Sequence, residues 1–228
     1  MLRIPRFIRA TLTAWHHNFM KLHLSSYRVP IPEALTGLLP DAEKSFNTAL
    51  ITNAKDNDPR GPEHITQRLA ELTSFLQSIG ASVEPIDLRT YHSPEQLVTD
   101  LERFDVLYAA GGNTFMLRQA MQRSGFDTVI GRLLSQGVVY AGESAGAAVA
   151  GVSLRGFEKA DTPDIVEDVI WDGLGLVNAV IVPHADNTEY KDRVSGIAAV
   201  HAGSNECIIL NDNQAVVVNG ESMSIVTG

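Results

Sequence analysis

Cysteine is almost absent from this sequence, and its scarcity excludes several kinds of chemistry. Cys207 is the single cysteine among 228 residues, so the chain forms no intramolecular disulfide and no cysteine-rich metal site. The histidine spacings of metal hydrolases, such as H-x-H and H-E-x-x-H, are missing too. We therefore expect no metal and no other cofactor. We also expect a cytoplasmic location, because disulfides are rare in that reducing compartment.

Basic residues are outnumbered by acidic ones. The chain holds 18 Lys and Arg against 27 Asp and Glu, which gives a formal net charge of −9. No run of basic residues interrupts this acidity, and nucleic-acid binding depends on a basic surface. The sequence therefore predicts no nucleic-acid partner.

The first nineteen residues differ in composition from the remainder. They contain three arginines and no acidic residue, and polar residues break the apolar core that a signal peptide needs. The segment is also too short and too polar to span a bilayer, so we expect no membrane partner. We predict that residues 1–19 are an extension outside the core and that residues 20–228 form one domain. An amphipathic docking or targeting arm is the alternative for the extension.

Short β-rich runs alternate with helical patterns along residues 20–228, which is typical of a parallel sheet covered by helices. Several inner runs are apolar throughout, as in strands that are buried on both faces. The last two runs lie close together and predict a hairpin. The sequence thus predicts a single α/β domain, with a mostly parallel sheet, helices on both faces and a C-terminal hairpin. The predicted strands are 22–26, 48–52, 82–88, 106–110, 138–141, 179–183, 207–210, 215–219 and 223–226.

Helix signals fill the gaps between these strands. Residues 62–79 place apolar side chains along one stripe and end before Gly80. Ser93 and Pro94 have the residue types of an N-cap and a first helical position. Residues 115–123 and 126–134 predict two helices that are separated at a Ser-Gly pair.

A candidate nucleophile lies between the predicted strand 138–141 and a helix of small residues. The run G-E-S-A-G at 142–146 fits the G-x-S-x-G nucleophile elbow, which places the hydroxyl of Ser144 above the carboxyl end of the strand. The neighbouring residues must be small so that this sharp turn can close. A glycine-rich turn with Ser144 as a helix cap is the structural alternative.

Two further strand ends carry residues that suit the same chemistry. Gly111 and Gly112 follow one strand, and the backbone amides of Gly112 and Ala145 are candidate donors of an oxyanion hole. A plain turn with Asn113 or Thr114 as a helix cap is the alternative there. His184 follows another strand, where it could act as the base that activates the serine. The carboxyl ends of parallel strands share one edge of a sheet, so we expect these residues to meet.

In this order, G-G-N-T at 111–114, G-E-S-A-G-A at 142–147 and P-H-A-D at 183–186 resemble the peptidase E and cyanophycinase family of serine peptidases. The resemblance runs from about Met20 to the C-terminus. It implies the class I glutamine amidotransferase-like fold, with serine where the amidotransferases have cysteine. It further implies Ser144 as nucleophile, His184 as base, and Gly112 and Ala145 as oxyanion donors.

The acid of the implied triad has two candidates. Asp212 lies between the last strands, and Asp161 lies between the serine and the histidine in the sequence. We favour Asp212 for orienting His184 and expect Asp161 to shape the site, although both aspartates also suit ordinary turns. Glu143 and Asp186 are less favoured.

The resemblance implies a small peptide substrate, because peptidase E-like members remove an N-terminal aspartate from dipeptides. Recognition of that side chain requires a cation. The candidate substrate-binding residues are Asn113, Arg155, Lys191 and Arg193. Each cation could equally be a solvated surface charge. The segment that follows His184 is also shorter than in the aspartyl dipeptidases.

Two other functions remain open at this point. An α/β-hydrolase esterase would also suit the order Ser144, Asp161, His184, although its histidine usually lies nearer the C-terminus. A binding or sensing module could keep the fold without turnover. The oligomeric state is open as well, with a homodimer as one option.

Overall fold

The computed structural model describes residues 20–42, 44–56 and 58–228, and within them nine strands form two sheets. Seven strands form the main sheet, in the order β3-β2-β4-β5-β1-β8-β9. The strands β1 to β5 run parallel to one another, while β8 is antiparallel to β1, and β8 and β9 form the C-terminal hairpin. A separate parallel pair, β6 and β7, lies outside this sheet. The strands are β1 Lys21–Ser25, β2 Phe46–Ile51, β3 Ala81–Ile86, β4 Val106–Ala109, β5 Val139–Glu143, β6 Val180–Val182, β7 Cys207–Ile209, β8 Gln214–Asn219 and β9 Ser222–Thr227.

Helices pack on both faces of the main sheet because its central strands are apolar on both sides. In β4, Val106 and Tyr108 face one core, while Leu107 and Ala109 face the other. The helices are α1 Pro32–Thr36, α2 Pro62–Ser78, α3 Pro94–Leu101, α4 Thr114–Ser124, α5 Phe126–Ser135, α6 Ala145–Ala148 and α7 Lys191–His201. Residues of α1 and α2 contribute to the first core, and residues of α3, α4, α5 and α6 to the second.

The structure confirms the predicted fold class, and the predicted strands end within two residues of the observed ones. Helix ends follow the signals expected of them. Ser93 caps α3 by accepting a hydrogen bond from the Gln96 N–H at 3.2 Å. Gly125 separates α4 from α5 in the left-handed conformation, with φ at 80°. The pairing of β6 with β7 as a second sheet is a tertiary feature that the strand pattern does not contain.

The predicted extension over residues 1–19 lies outside the described residues, so the domain boundary at residue 20 stays a prediction. Met20 itself is buried in the core. In the part of the chain that the structure describes, no helix combines the length and apolarity needed to cross a membrane.

A buried histidine on β1 makes the stability of this fold depend on pH. His23 is fully buried, and neither ring nitrogen has a hydrogen-bond partner among the described residues. Burial lowers the pKa of His23 from 6.5 to about 4, so the ring stays neutral in the fold. Histidine in an unfolded chain takes up a proton below its ordinary pKa of about 6.5. The contribution of His23 is therefore complete above that pH and is lost as the pH falls toward 4.

We predict that His23 alone lowers the free energy of unfolding by about 3 kcal/mol between pH 7 and pH 4. Urea denaturation across this range measures the effect. The variant His23→Leu should lose this part of the pH dependence, whereas His92→Leu, at an exposed position, should keep it. An unchanged pH dependence in His23→Leu would contradict the assignment.

Candidate active site

The candidate active site lies where the carboxyl ends of β1, β4 and β5 meet the ends of β6 and β7. Parallel strands that run side by side bring their following loops to one edge, which is where ligands bind in open α/β sheets. The loop after β5 contains Ser144, the loop after β6 contains His184, and the turn between β7 and β8 contains Asp212.

Ser144 forms a strained turn between β5 and α6. Its backbone has φ 51° and ψ −110°, a conformation that L-residues rarely adopt. The flanking glycines make this turn possible. A Cβ on Gly146 would lie 2.1 Å from the carbonyl oxygen of Ala109, and one on Gly142 would lie 2.4 Å from the backbone of Gly146. The helix α6 therefore packs directly against the strand backbone and holds the serine at the sheet edge.

A continuous line of hydrogen bonds joins the three side chains expected of a triad. Nε2 of His184 lies 2.8 Å from Oγ of Ser144, and Nδ1 lies 2.5 Å from Oδ1 of Asp212. When Nδ1–H donates to the carboxylate, Nε2 is left as an acceptor for the hydroxyl proton. This arrangement is the one that a general base requires to activate a serine.

Asp161, the competing acid, is bonded elsewhere. Its Oδ2 accepts hydrogen bonds from the backbone N–H of Thr114 at 2.9 Å and from the Thr114 hydroxyl at 2.5 Å. Burial raises the pKa of Asp161, and the bonds from Thr114 oppose that rise. The structure thus brings Asp212, the favoured candidate, to His184. Asp161 lies in the wall of the same cleft.

Ser26, which was not predicted from the sequence, connects the base and the acid. Its hydroxyl donates to Oδ1 of Asp212 at 2.9 Å and accepts a hydrogen bond from the backbone N–H of His184 at 2.7 Å. Asp186 accepts a hydrogen bond from the N–H of Asp212 at 2.8 Å. Ser26 lies directly after β1, but that position alone does not reveal its bonds to Asp212 and His184.

The glycine pair after β4 lies directly against the serine. A Cβ on Gly111 would be 3.1 Å from Cβ of Ser144, and one on Gly112 would be 2.1 Å from the carbonyl oxygen of Ala54. Gly112 also has φ 149°, so glycine is required there. The N–H groups of Gly112 and Ala145 donate to no protein group among the described residues. These two amides are therefore available to an oxyanion.

Glu143 and Lys55 hold this glycine loop in place. The N–H of Gly111 donates to Oε1 of Glu143 at 3.4 Å, and Nζ of Lys55 donates to the carbonyl oxygen of Gly111 at 2.8 Å. Oε2 of Glu143 accepts hydrogen bonds from the Tyr108 hydroxyl and from the N–H of Arg28, both at 3.2 Å. Glu143 thus fixes the loop beside the serine and does not contact His184 within hydrogen-bond distance.

The cleft beside Ser144 is narrow, with a volume of about 50 Å³. The ring of Tyr190 covers His184 at a centroid distance of 4.9 Å, and the guanidinium of Arg193 lies 4.9 Å from the Tyr190 ring. Both polar and apolar side chains line the cleft. The lining residues are Gly112, Thr114, Ser144, Ala145, Ala148, Phe157, Ala160, Asp161, Pro183, His184, Tyr190, Arg193, Val194 and Ile197.

The predicted substrate-binding residues occupy different places. Arg193 lines the cleft, whereas Lys191 is exposed outside it. Arg155 lies over the Trp171 ring at 5.3 Å and lines a separate cavity of about 600 Å³. The Asn113 amide caps α4 through the N–H groups of residues 115 and 116 and donates to the Thr162 carbonyl, so its side chain is already engaged. Among the described residues, no group of three or more His, Cys, Asp or Glu side chains is placed to hold a metal ion.

Comparison with known proteins identifies relatives of this chain. The model of peptidase family S51 matches residues 58–226, more than half of the chain. An uncharacterized peptidase of Listeria monocytogenes is 32% identical over 162 residues, which cover 71% of this chain and 78% of the relative. Peptidase E of Streptomyces coelicolor is 36% identical over 99 residues, which cover 43% of this chain and 40% of that enzyme.

Solved structures share the fold. A candidate peptidase E protein from Listeria monocytogenes superimposes with a TM-score of 0.77 at 24% identity, covering 92% of this chain and 98% of the other. A peptidase from an acI-B1 Actinobacterium gives a TM-score of 0.70 at 17% identity, covering 93% and 89%. At these identities the likeness shows the fold alone.

We predict that the reaction of Ser144 with a fluorophosphonate depends on Ser26. Removing the Ser26 hydroxyl deprives His184 and Asp212 of one hydrogen bond each, so Ser26→Ala should slow labelling about 10-fold. His184→Ala should slow it by at least about 10³-fold, because the base itself is lost.

Mass spectrometry of the labelled peptide gives the rate and the site. Ser195→Ala, on the exposed side of α7, is the matched control and should label like the unmodified protein. Equal rates for Ser26→Ala and Ser195→Ala would remove Ser26 from the site.

Proposed function

The chain belongs to peptidase family S51 and is a serine-type peptidase, and on this premise we propose that it hydrolyses short peptides at their N-terminal peptide bond. The observation that carries the proposal is the hydrogen-bonded line from Ser144 through His184 to Asp212, at 2.8 and 2.5 Å. Membership of this family argues against the α/β-hydrolase esterase that the sequence left open as an alternative.

The same geometry supports a stepwise mechanism. Oγ of Ser144 attacks the substrate carbonyl carbon while Nε2 of His184 removes the hydroxyl proton. Asp212 stabilises the imidazolium that forms, and the N–H groups of Gly112 and Ala145 bind the developing oxyanion. His184 then protonates the leaving amine, which departs as the acyl-enzyme forms. A water molecule, activated by His184, releases the N-terminal residue and restores Ser144.

We predict that Ser144→Ala and His184→Ala each reduce the turnover of dipeptides by several orders of magnitude. The double variant should be little worse than either, because triad members act as a unit. Asp212→Asn should cost about 10⁴-fold, since the wrong tautomer of His184 is then favoured. Release of free amino acids from a dipeptide panel measures the rates.

Two results would contradict this assignment. Turnover retained in Ser144→Ala would exclude the serine mechanism. A larger loss in Asp161→Asn than in Asp212→Asn would transfer the acid role to Asp161. An inert binding module would neither turn over peptides nor react with a fluorophosphonate at Ser144.

We further propose a preference for an acidic first residue, with Arg193 as the cation. Arg193 lines the cleft, and its guanidinium and the ring of His184 each lie 4.9 Å from the centre of the Tyr190 ring. Its guanidinium can bind both oxygens of a substrate carboxylate. Lys191 and Arg155 do not line this cleft, so Arg193 is the better supported of the three predicted cations.

We predict that Arg193→Gln lowers kcat/KM for Asp-Leu about 10- to 100-fold, the usual value of a hydrogen bond to a charged group. Ala-Leu should change by less than about 3-fold. Lys191→Gln is the matched control, because it removes the same charge two residues away. If the unmodified enzyme cleaves Asp-Leu and Asn-Leu equally well, it has no carboxylate-binding residue of this kind.

Location and assembly stay proposals. The single cysteine fits a cytoplasmic location. We propose a small peptide as the partner, and neither a nucleic acid nor a membrane. Light scattering on the purified protein would show whether it is a homodimer.

A further inference from the structure

Asp161 has one carboxylate oxygen that no group of the described residues uses. Oδ2 accepts both hydrogen bonds from Thr114, while no hydrogen bond reaches Oδ1 and no ion pair reaches the carboxylate among the described residues. The residue lines the cleft together with Ser144 and His184. The triad does not need it, because Asp212 already occupies Nδ1 of His184.

The position of this carboxylate relative to the reacting bond is restricted. Asp161 is held by the N–H of Thr114, two residues after Gly112, one of the two amides available to the oxyanion. In a substrate cut after its first residue, the α-nitrogen lies only about 2.5 Å from the carbonyl carbon that Ser144 attacks. A group that binds this nitrogen must therefore lie in the wall beside the serine and the oxyanion donors, as Asp161 does.

The charge of the site favours a cation at Oδ1. Burial disfavours the ionised form of Asp161 and raises its pKa; Arg193 and His184 only partly oppose this effect. Arg193 lies over the Tyr190 ring, and its charge acts on Asp161 from beyond ion-pair distance. A peptide's α-amino group, with a pKa of about 8, is a cation at pH 7 and would supply the missing partner.

We infer that Asp161 binds the free α-ammonium group of the substrate through Oδ1. This inference rests on the proposed peptidase function and deepens it. Asp161 is then the residue that limits cleavage to the first peptide bond. A peptide placed further along the cleft would present a neutral amide to this carboxylate and leave its charge unpaired.

The test compares substrates that differ only in the amino group. Propionyl-leucine is Ala-Leu without its amine, and succinyl-leucine is Asp-Leu without its amine. Binding to the inactive Ser144→Ala protein is measured by calorimetry, with Asp161 intact and with Asp161→Asn. The asparagine keeps an oxygen that can accept the hydrogen bonds of Thr114, so the contact between residue 161 and the start of α4 is preserved.

With Asp161 intact, we expect each free-amine peptide to bind about 10- to 100-fold more tightly than its deamino partner, the usual value of a charged hydrogen bond. In Asp161→Asn, the two members of each pair should bind within about 3-fold of each other. Asp164→Asn, an exposed acid of the same loop, is the matched control and should keep the preference.

Three results would overturn the inference: an intact protein without the preference, an Asp161→Asn protein that retains it, or equal loss for both members of a pair. Fluorophosphonate labelling separates this failure from failure of the proposed function. If the proposed function holds, the unmodified protein and Asp164→Asn should both be labelled at Ser144, whatever the calorimetry shows for Asp161→Asn. Failure of the serine mechanism would instead abolish labelling in every variant.

Discussion

Direct backbone contact between α6 and the central strands is the constraint on which the site depends. Gly146 lies against the carbonyl of Ala109, and the Tyr140 hydroxyl donates to the Gly146 carbonyl at 2.7 Å. The N–H of Ser144 donates to the carbonyl of Ser25 at 3.0 Å. Strain of the kind that Ser144 carries costs about 1–3 kcal/mol, and the packed sheet holds it in place. The reactive hydroxyl is thereby exposed at the sheet edge.

The three carboxylates near Ser144 each contact a different group. Asp212 contacts the imidazole and Ser26, Asp161 contacts Thr114, and Glu143 contacts the glycine loop. Each acid thus accepts hydrogen bonds from a different set of donors. Three chemically similar side chains therefore have different roles within one site, and their sequence positions alone do not distinguish these roles.

Much of the fold could be predicted because its signals are local. Short β-rich runs mark the strands, and Ser93 and Gly125 mark helix ends through contacts within a few residues. Ser144 could be identified for the same reason, since glycines two residues away on either side close its turn. Ser26 could not, because its bond to Asp212 joins residues 186 positions apart. The position of Arg155 over Trp171, beside another cavity, is likewise a tertiary contact that local patterns do not contain.

The sequence by itself determined the α/β class, the strained turn at Ser144 and the histidine at a strand end. Each of these depends on backbone preferences and periodicity that neighbouring residues impose. Only the tertiary structure decided that Asp212 contacts His184, that Asp161 contacts Thr114, and that Glu143 supports the glycine loop. Those contacts depend on which strands lie side by side in the sheet. That order results from long-range packing, which local patterns do not record.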